Sequence, residues 1–514
     1  MSTLNTINVV NSSGLDASAY TVWVAGFMAD ASDGTQFQIL QSDGSFAAAA
    51  SITTAAFINV SNGLTISVPN VSNSGNNRLV FTVTQASTTP PDYPLNGYTA
   101  YPFPGLPGAA PAGPYDIFEF GPDAQYDVSA VDSFGLNLSF TVSGDTLTYG
   151  AVPTITRAQI ATAFANFTTS DPLGADFAQL LYTSPTGSGY PELIDGQFSA
   201  IVSPKDWLAI HPTATGLSGY WDSTVDALFT AGNQLSFYLN GATVGTYAGT
   251  SDGTQFVLTG PDQLTVVVPK SDFAGVQPFV QAVRGPNLGT AASAAAVMES
   301  GVVLEVTVMD GGSGYISPPL VSIDSPGNGG TAATAVAIID DGVVTQIQVT
   351  NSGSGYDFSP QVTLSGQTTV EYDAFSQIEA ALFEAFSRGV VLDGVVAQGQ
   401  TIATNASSDA WTDTSNWYTN HKNSYNQAPS VYDAYAKFFH TATVTVGTVS
   451  TSIFGTNADG HAMAYGFSLD ENPNVGSTSQ GIPPGAWPTS LNVPAKTNYS
   501  VDSQTVTLTL GPWS

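Results

Sequence analysis

Three acidic residues lie in one apolar stretch of the chain, and their placement suggests acid–base chemistry. The segment YDIFEFGPDAQYDVSAVDSFGLNL covers residues 115–138 and contains Glu119, Asp127 and Asp132. Only 10% of the residues in the chain are charged, so a carboxylate between two phenylalanines is unusual. A carboxyl group that is removed from water holds its proton more tightly, as a general acid requires. The segment therefore indicates a general acid, with Glu119 as the candidate.

The distance between these carboxylates depends on how the segment folds. If residues 121–125 form a hairpin turn, Glu119 on the first strand faces Asp127 on the second. Asp132 then lies about 15 Å further along, at ~3.3 Å per residue. Either a bend or bulge brings Asp132 back toward Glu119, or Asp127 is its partner.

Several short motifs occur along the chain in the order found in one enzyme family. Glu119-Phe120, followed by a short loop and Val131-Asp132, is similar to a strand E-[FY]-T-x-N followed by a V-D pair. The other motifs are TINVVNSSG (6–14), similar to an opening strand; FSRGVVL (386–392), similar to a helix end F-N-R-[GT]-x-x-L; YAKFFH (435–440), similar to Y-A-[KR]-x-x-H; and ADGHAMAYGFSLDEN (458–472), similar to A-Y-G-F-x-[FY]-D-D. On these motifs the chain resembles glycoside hydrolase family 64, the β-1,3-glucanases related in fold to thaumatin-like proteins.

The resemblance implies a fold, a reaction and two catalytic residues. The expected fold is mainly β with α+β, namely a thaumatin-like β-sandwich or barrel plus a mixed α/β domain. The expected activity is that of an inverting β-1,3-glucanase that binds a linear β-1,3-glucan in a wide groove between two domains. Glu119 would be the acid and Asp132 the base, with carboxyl groups roughly 6.5–9.5 Å apart. Asp132 is preferred because its V-D-x-F context matches the family, and Asp127 is the second choice.

The resemblance also implies residues that bind substrate, and here the chain departs from the family. Gly121 and Asp123 stand where the family has a substrate-binding Thr and Asn, and Tyr126 takes the place of a sugar-stacking Trp. Asp470 and Glu471 stand where the family has paired acids near the groove. We expect these departures to affect substrate affinity and rate more than the fold.

Hydrophobic periodicity divides the chain into three predicted regions. Residues 1–152 read as short alternating strands and are predicted to form a β-sandwich or barrel, completed by strands in about 436–514. Residues 153–435 contain amphipathic helices between strands, which predicts a mixed α/β domain. Residues 88–114 are rich in proline and predict a long loop. Its aromatic residues either line a sugar groove or anchor the loop; they are Tyr93, Tyr98, Tyr101 and Phe103.

An internal repeat interrupts the mixed region. GVVLEVTVMDGGSGYISPPLVSI begins at Gly301 and GVVTQIQVTNSGSGYDFSPQVTL begins at Gly342, which is a constant offset of 41 residues. Each copy reads as a strand, a Gly-Ser-Gly-Tyr turn and a second strand, with glycines in the turn. Because the family motifs continue on both sides, residues 296–369 are predicted to be an inserted β-repeat module. Its role is adhesion or assembly, or that of a spacer.

Composition excludes several classes of function. Nine Lys and Arg residues against 40 Asp and Glu give a net charge of −31, which repels phosphate backbones and excludes nucleic-acid binding. The chain has no cysteine and its four histidines show no metal-ligand spacing, so no metal and no cofactor is expected.

Composition also bears on localisation and assembly. No stretch is long and apolar enough for membrane insertion, and the N-terminus lacks the pattern of a Sec signal. We expect an extracellular or cell-surface protein exported without a Sec signal, or a sequence written without its leader. The alternative to an enzyme is a non-catalytic structural or adhesive protein of a surface, fibre or virion, with a homo-oligomer or assembly formed through 296–369.

Overall fold

A computed structural model describes residues 3–514 of the chain with gaps. The segments outside the described residues are 30–36, 50–53, 70–76, 96–112, 122–124, 145–147, 184–193, 198–199, 240–244, 262–264, 281–291, 313–317, 327–328, 341–342, 366–368, 447, 457–461 and 464–502.

The fold is mainly β, and its first part consists of short strands. These are β1 (Thr3–Asn11), β2 (Tyr20–Ala29), β3 (Phe37–Leu40), β4 (Phe46–Ala49), β5 (Thr54–Ala55), β6 (Ile58–Asn59), β7 (Leu64–Ser67), β8 (Asn77–Gln85), β9 (Tyr93–Pro94), β10 (Tyr115–Gly121), β11 (Gln125–Ser129), β12 (Ser133–Phe134), β13 (Leu138–Val142) and β14 (Tyr149–Gly150).

Helices and strands alternate in the next part, as the change of period predicts. The elements are α1 (Arg157–Ser170), β15 (Leu181–Tyr182), β16 (Ala200–Val202), α2 (Pro204–Ile210), α3 (Asp222–Leu228), β17 (Gln234–Leu239), β18 (Gly245–Ser251), β19 (Gln255–Thr259), β20 (Thr265–Pro269) and α4 (Gln277–Val280). Short 3₁₀ turns cover Ala175–Leu180, Ile194–Gly196 and Lys270–Phe273.

Six strands follow, and then three helices and the last strands. They are β21 (Ser293–Glu299), β22 (Val302–Asp310), β23 (Leu320–Ile323), β24 (Thr334–Asp340), β25 (Val343–Asn351), β26 (Val362–Ser365), α5 (Thr369–Arg388), α6 (Ala406–Trp411), α7 (Ala434–Thr441), β27 (Thr443–Val446), β28 (Val449–Ser452), β29 (Gly455–Thr456), β30 (Ala462–Met463) and β31 (Ser503–Leu510). A 3₁₀ turn covers Thr414–Asn416. Among the described residues, no helix combines the length and hydrophobicity that a transmembrane span requires.

Two sheets pack face to face in the first part. A five-stranded sheet has the order β14-β13-β31-β1-β7, and a seven-stranded sheet has the order β11-β10-β8-β2-β3-β4 with β6 beside β2. Aromatic side chains join them: the ring centroids of Phe118 on β10 and Phe140 on β13 are 5.3 Å apart. Strand β31 runs parallel to β1 and pairs with β13 on its other side, so the last described strand lies in the middle of the five-stranded sheet.

The apolar core of the two sheets continues into the helices. Phe164 of α1, Phe386 of α5 and Phe438 of α7 belong to the same buried cluster as Phe118 and Phe140. One core therefore extends across the predicted regions 1–152 and 153–435.

Residues 436–441 belong to helix α7, although strands are predicted from about residue 436. Asp433 accepts hydrogen bonds from the backbone N–H groups of Tyr435 and Ala436, so it caps the helix. Phe438 and Phe439 then place their side chains in the core. The strands of this region therefore begin at Thr443, after the helix.

Residues 292–365, which we call the repeat unit, have a core of their own. Strands β21-β22-β25-β24 form one sheet and β23-β26 another. The 41-residue offset extends further back than the motif, because β21 and β22 correspond to β24 and β25. The register of each pair shifts at equivalent places, after Ser293 and after Thr334. The apolar cluster of the repeat unit shares no residue with the main core.

We predict that the remainder of the chain folds when residues 292–366 are deleted, because the two apolar cores are separate. Deletion of the predicted module, 296–369, would instead cut through β21 and remove the first residue of α5. Deletion of 292–366 is expected to give a soluble protein that unfolds in one cooperative transition, whereas deletion of 296–369 is expected to lower the midpoint. Thermal unfolding followed by circular dichroism measures both. Aggregation of the 292–366 deletion would show that the repeat unit is required for folding.

Candidate active site

A row of polar residues crosses three neighbouring strands of the seven-stranded sheet. Glu119 on β10 is paired with Arg78 on β8 and with Asp127 on β11. The pairing of Glu119 with Asp127 is the one predicted for a hairpin, while the side chain of Asp127 lies outside the described part. Arg78 Nε donates a hydrogen bond to Glu119 Oε1 at 2.6 Å. Arg78 was not identified from the sequence.

Glu119 lies on the opposite face of its strand from the two phenylalanines beside it. Alternation along β10 places Phe118 and Phe120 in the main core, whereas Ile117 and Tyr115 belong to a smaller cluster on the other face. The side chain of Glu119 is 24% exposed. The expectation that Glu119 is buried among aromatic residues is therefore wrong, and its setting is an ion pair open to solvent.

A bend after β11 brings Asp132 into the same site. Strand β11 ends at Ser129, and Ser133 at the start of β12 pairs with Val202 at the end of β16. The Ser203 N–H donates to the Asp132 carbonyl oxygen at 2.9 Å, which continues this pairing by one residue. Asp132 acts electrostatically on Arg78, as Glu119 does. The chain bends at residues 131–132, between β11 and β12.

Two further charged residues, Lys205 and Asp206, complete the site. The Nζ atom of Lys205 donates to Asp132 Oδ1 at 2.5 Å and to Asp206 Oδ1 at 2.9 Å. Both belong to the first turn of α2, which Ser203 caps and Pro204 begins. Because β12 and β16 are paired, the residue before β12 and the residues after β16 must meet.

The scarcity of cations in the composition could have identified Arg78 and Lys205. The chain has only nine Lys and Arg residues. Arg78 and Lys205 each pair with one of the two candidate catalytic carboxylates. In so acidic a chain, each cation is a candidate partner for a carboxylate that must be held in place.

Burial and charge act together on the groups of the site. Burial raises the pKa of Tyr93, a neighbour of Arg78, to about 12. Burial would lower the pKa of Lys205, but Asp132 and Asp206 more than offset it, so the pKa is raised. Burial, followed by the charge of Asp132, raises the pKa of Asp206 to about 7 against the opposing effect of Lys205. Lys205 therefore stays charged at neutral pH, and Asp206 titrates there.

Two aromatic residues predicted near the substrate are buried instead. Tyr126 is 1% exposed and packs between Phe118 and Phe140, because its place opposite Phe120 points it into the main core. Its assignment as a sugar-stacking residue is wrong. Tyr93 is also 1% exposed and its ring lies 5.8 Å from that of Phe27, so it anchors the start of the proline-rich loop.

The other predicted binding residues are only partly described. Gly121 ends β10 and is paired with Gln125. Asp123, Asp470, Glu471, Tyr98, Tyr101 and Phe103 lie outside the described residues. Among the residues that the structure describes, no group of three or more His, Asp and Glu side chains is arranged to hold a metal ion.

Two carboxyl groups of the site are accessible to solvent and could act as an acid and a base. Glu119 and Asp132 are 24% and 21% exposed, and each contacts one cation. A guanidinium or ammonium group stabilises the carboxylate form. Glu119, which accepts a hydrogen bond from Arg78, and Asp132, which accepts one from Lys205, are therefore each held in place by a cation.

Comparison with known proteins gives similarity at the level of solved structures. No protein-family model matches the chain, and no curated protein matches it in sequence. The crystal structure of a laminaripentaose-producing β-1,3-glucanase in complex with laminaritetraose is similar over 100% of both chains, with 14% identity and a TM-score of 0.49. A β-1,3-glucanase domain (GH64) from Clostridium beijerinckii is similar over 98% of both chains, with 15% identity and a TM-score of 0.43.

Proposed function

We propose that the protein is an inverting glycoside hydrolase that cleaves linear β-1,3-glucan. The observation that supports the proposal is that Glu119 contacts Arg78 while Asp132, from a different segment, acts electrostatically on the same guanidinium group. Inverting hydrolysis needs two carboxyl groups, one to protonate the leaving oxygen and one to activate water. The substrate class rests on the motifs around Glu119-Phe120 and Val131-Asp132 that resemble family 64.

Each carboxylate has a distinct role in this proposal. Glu119 protonates the glycosidic oxygen, and Arg78 stabilises the negative charge that then develops on Glu119. Asp132 removes a proton from the water that attacks the anomeric carbon, and Lys205 orients Asp132 through its hydrogen bond to Oδ1. Asp127 is the second choice for the base, because its backbone is paired with that of Glu119.

Substrate binding is proposed for the groups around these carboxylates. Gly121 ends the strand that carries Glu119, and Asp123 follows it in the chain. Asp470 and Glu471 are retained as proposed partners of sugar hydroxyls on the sequence resemblance alone. We place the glucan in a groove between the β-sandwich and the mixed region, outside the cell or at its surface.

The stereochemistry of the product tests the proposal. Hydrolysis of a β-1,3-linked oligosaccharide by inversion is expected to release a reducing end that is initially α. Proton NMR in the first minutes of reaction distinguishes the α anomer from the β anomer before mutarotation. An initial β product would require a retaining mechanism and refute the assigned roles. No release of sugar from any linear β-1,3-glucan would refute the enzyme.

A second candidate function is structural, and the surface of the repeat unit favours it. Six of the nine exposed large apolar side chains among the described residues belong to this unit; they are Val297, Leu304, Met309, Val336, Ile338 and Phe358. Exposed apolar residues in such number mark a contact surface. The candidate function is assembly with further copies of the chain, and sedimentation with and without residues 292–366 separates it from the enzyme.

A further inference from the structure

A third carboxyl group, that of Asp206, lies against the proposed base. Lys205 Nζ contacts both carboxyl groups, at Asp132 Oδ1 and at Asp206 Oδ1, so the two lie beside one ammonium group. The side chain of Asp206 is 15% exposed, against 21% for that of Asp132. Two carboxylates and one ammonium group therefore occupy a largely buried cluster.

The charges of this cluster balance only when one carboxyl group is neutral. Two ionised carboxylates in contact repel each other, and a single Lys205 compensates one of them. Burial of a charge costs less free energy at the more exposed Asp132 than at Asp206. Asp206 is the group that keeps the proton, and a neutral carboxyl group donates one hydrogen bond through its O–H.

Among the described residues, the other cation of the site is Arg78, which is paired with Glu119 and also acts electrostatically on Asp132. Besides Lys205 on its own helix and Asp132, the phenol groups of Tyr115 on β10 and Tyr435 on α7 interact electrostatically with Asp206. Burial raises the pKa of both phenols well above the usual value, so both stay neutral throughout the physiological range. The protonation of Asp206 is thus controlled by burial and by its two charged neighbours.

We propose that Asp206 is a positioning residue that donates its carboxyl O–H to Asp132 and, together with Lys205, fixes the orientation of that base. Lys205 holds Asp132 from one side and neutral Asp206 from another, so the carboxylate cannot rotate freely. When Asp206 ionises, the O–H donor is lost and the two carboxylates repel each other. The single positive charge of Lys205 then has to compensate two negative charges. The proton simply leaves to solvent, and no covalent bond changes. The inference rests on the proposed role of Asp132.

The proposal predicts a pH dependence that one substitution removes. The pKa of Asp206 is raised to about 7, so the activity that depends on Asp132 is expected to decline above pH 7. In Asp206→Asn an amide donor replaces the O–H at every pH, and the decline is expected to move up by at least about one pH unit. Asp206→Ala removes the donor and is expected to lose roughly tenfold in kcat/KM at pH 5.5.

The assay has to isolate the base from the general acid. A β-fluoride of a laminari-oligosaccharide carries a leaving group that needs little protonation, so its hydrolysis reports on Asp132 and water. The matched control is Asp413→Asn, an exposed capping carboxylate that is expected to leave the pH profile unchanged. An unchanged alkaline decline in Asp206→Asn, or equal activity of Asp206→Ala and wild type at pH 5.5, would overturn the proposal.

A stability measurement separates failure of this inference from failure of the proposed function. The unfolded chain loses the Asp206 proton near pH 4, whereas the folded chain keeps it to about pH 7. Between these values the unfolded state binds fewer protons, so wild type is expected to lose stability relative to Asp206→Asn as the pH rises. The urea midpoint of both proteins is measured from pH 4 to pH 8. A constant difference between them would show that Asp206 holds no proton and overturn the inference, even if wild type hydrolyses no glucan.

Discussion

Glu119→Gln is expected to lower the rate of β-1,3-glucan hydrolysis by roughly 10²–10⁴-fold, the usual contribution of a general acid. Glutamine keeps the size of the side chain and can accept the hydrogen bond from Arg78, but it cannot protonate the leaving oxygen. The strand and the hydrogen bond from Arg78 should therefore remain in place while the acid is lost. Release of reducing ends from a linear β-1,3-glucan measures the effect.

A substrate with a good leaving group shows whether the loss is specific to proton donation. A laminari-oligosaccharide β-fluoride needs little acid assistance, so Glu119→Gln is expected to retain most of the wild-type rate with it. Asp43→Asn, which alters an exposed carboxylate in the turn before β4 of the same sheet, serves as the control for a lost negative charge. Unchanged glucan hydrolysis in Glu119→Gln would remove Glu119 from the mechanism.

Local pattern was sufficient to predict the hairpin that carries Glu119. The alternation of residues 115–129 and the turn between the two strands give the pairing of Glu119 with Asp127 that the structure has. The amphipathic segments TRAQIATAFANF (156–167) and FSQIEAALFEAFSRG (375–389) likewise lie almost entirely within α1 and α5. These elements depend on neighbours close in sequence, so periodicity alone identifies them.

The cations of the site depend on contacts between distant segments. Arg78 is 41 residues from Glu119 in sequence, and Lys205 is 73 residues from Asp132. Their placement follows from the pairing of β8 with β10 and of β12 with β16. Neither pairing can be read from the pattern within a strand, so the sequence identified the two carboxylates without the cations that hold them.

The error at Tyr126 shows how strictly a strand assigns side chains to its two faces. Glu119 and Asp127 are paired across the hairpin, and the neighbouring pair, Phe120 and Tyr126, has its side chains in the main core. A Tyr beside a candidate catalytic residue therefore points into the core. The pairing of Glu119 with Asp127 determines that of Phe120 with Tyr126, so the hairpin register predicts the burial of Tyr126.

The limits of the repeat unit were also present in the sequence. TAASAAAVMESG and TAATAVAIIDDG precede the two copies at the same offset of 41 residues, and they contain β21 and β24. The repeat unit covers 292–365, four residues earlier at each end than the module 296–369 that is predicted around the Gly-Ser-Gly-Tyr turns. A strand needs a partner to bury its apolar face, so each copy had to begin with the strand that pairs with β22 or β25.

Asp132→Ala is expected to lower hydrolysis of the β-fluoride and of glucan by roughly 10²–10⁴-fold, because no other group would then activate water. The substitution also leaves Lys205 without its contact to Asp132 and opens space beside a buried ammonium group. A small anion is attracted to such a site. Sodium azide is therefore expected to restore turnover in Asp132→Ala, since azide needs no base to act as a nucleophile.

The anomeric configuration of the azide product and the variant that azide rescues together identify the base. Azide that occupies the position of the attacking water is expected to give an α-glycosyl azide from a β-linked substrate, which NMR detects. Asp127→Ala is the matched variant: its carboxylate is the other candidate, and it is expected to keep wild-type hydrolysis and to gain nothing from azide. Rescue of Asp127→Ala instead of Asp132→Ala would make Asp127 the base. In that case the cluster of Asp132, Lys205 and Asp206 would serve to hold the bend after β11, because the Asp132 carbonyl oxygen and carboxylate both contact the segment that begins α2.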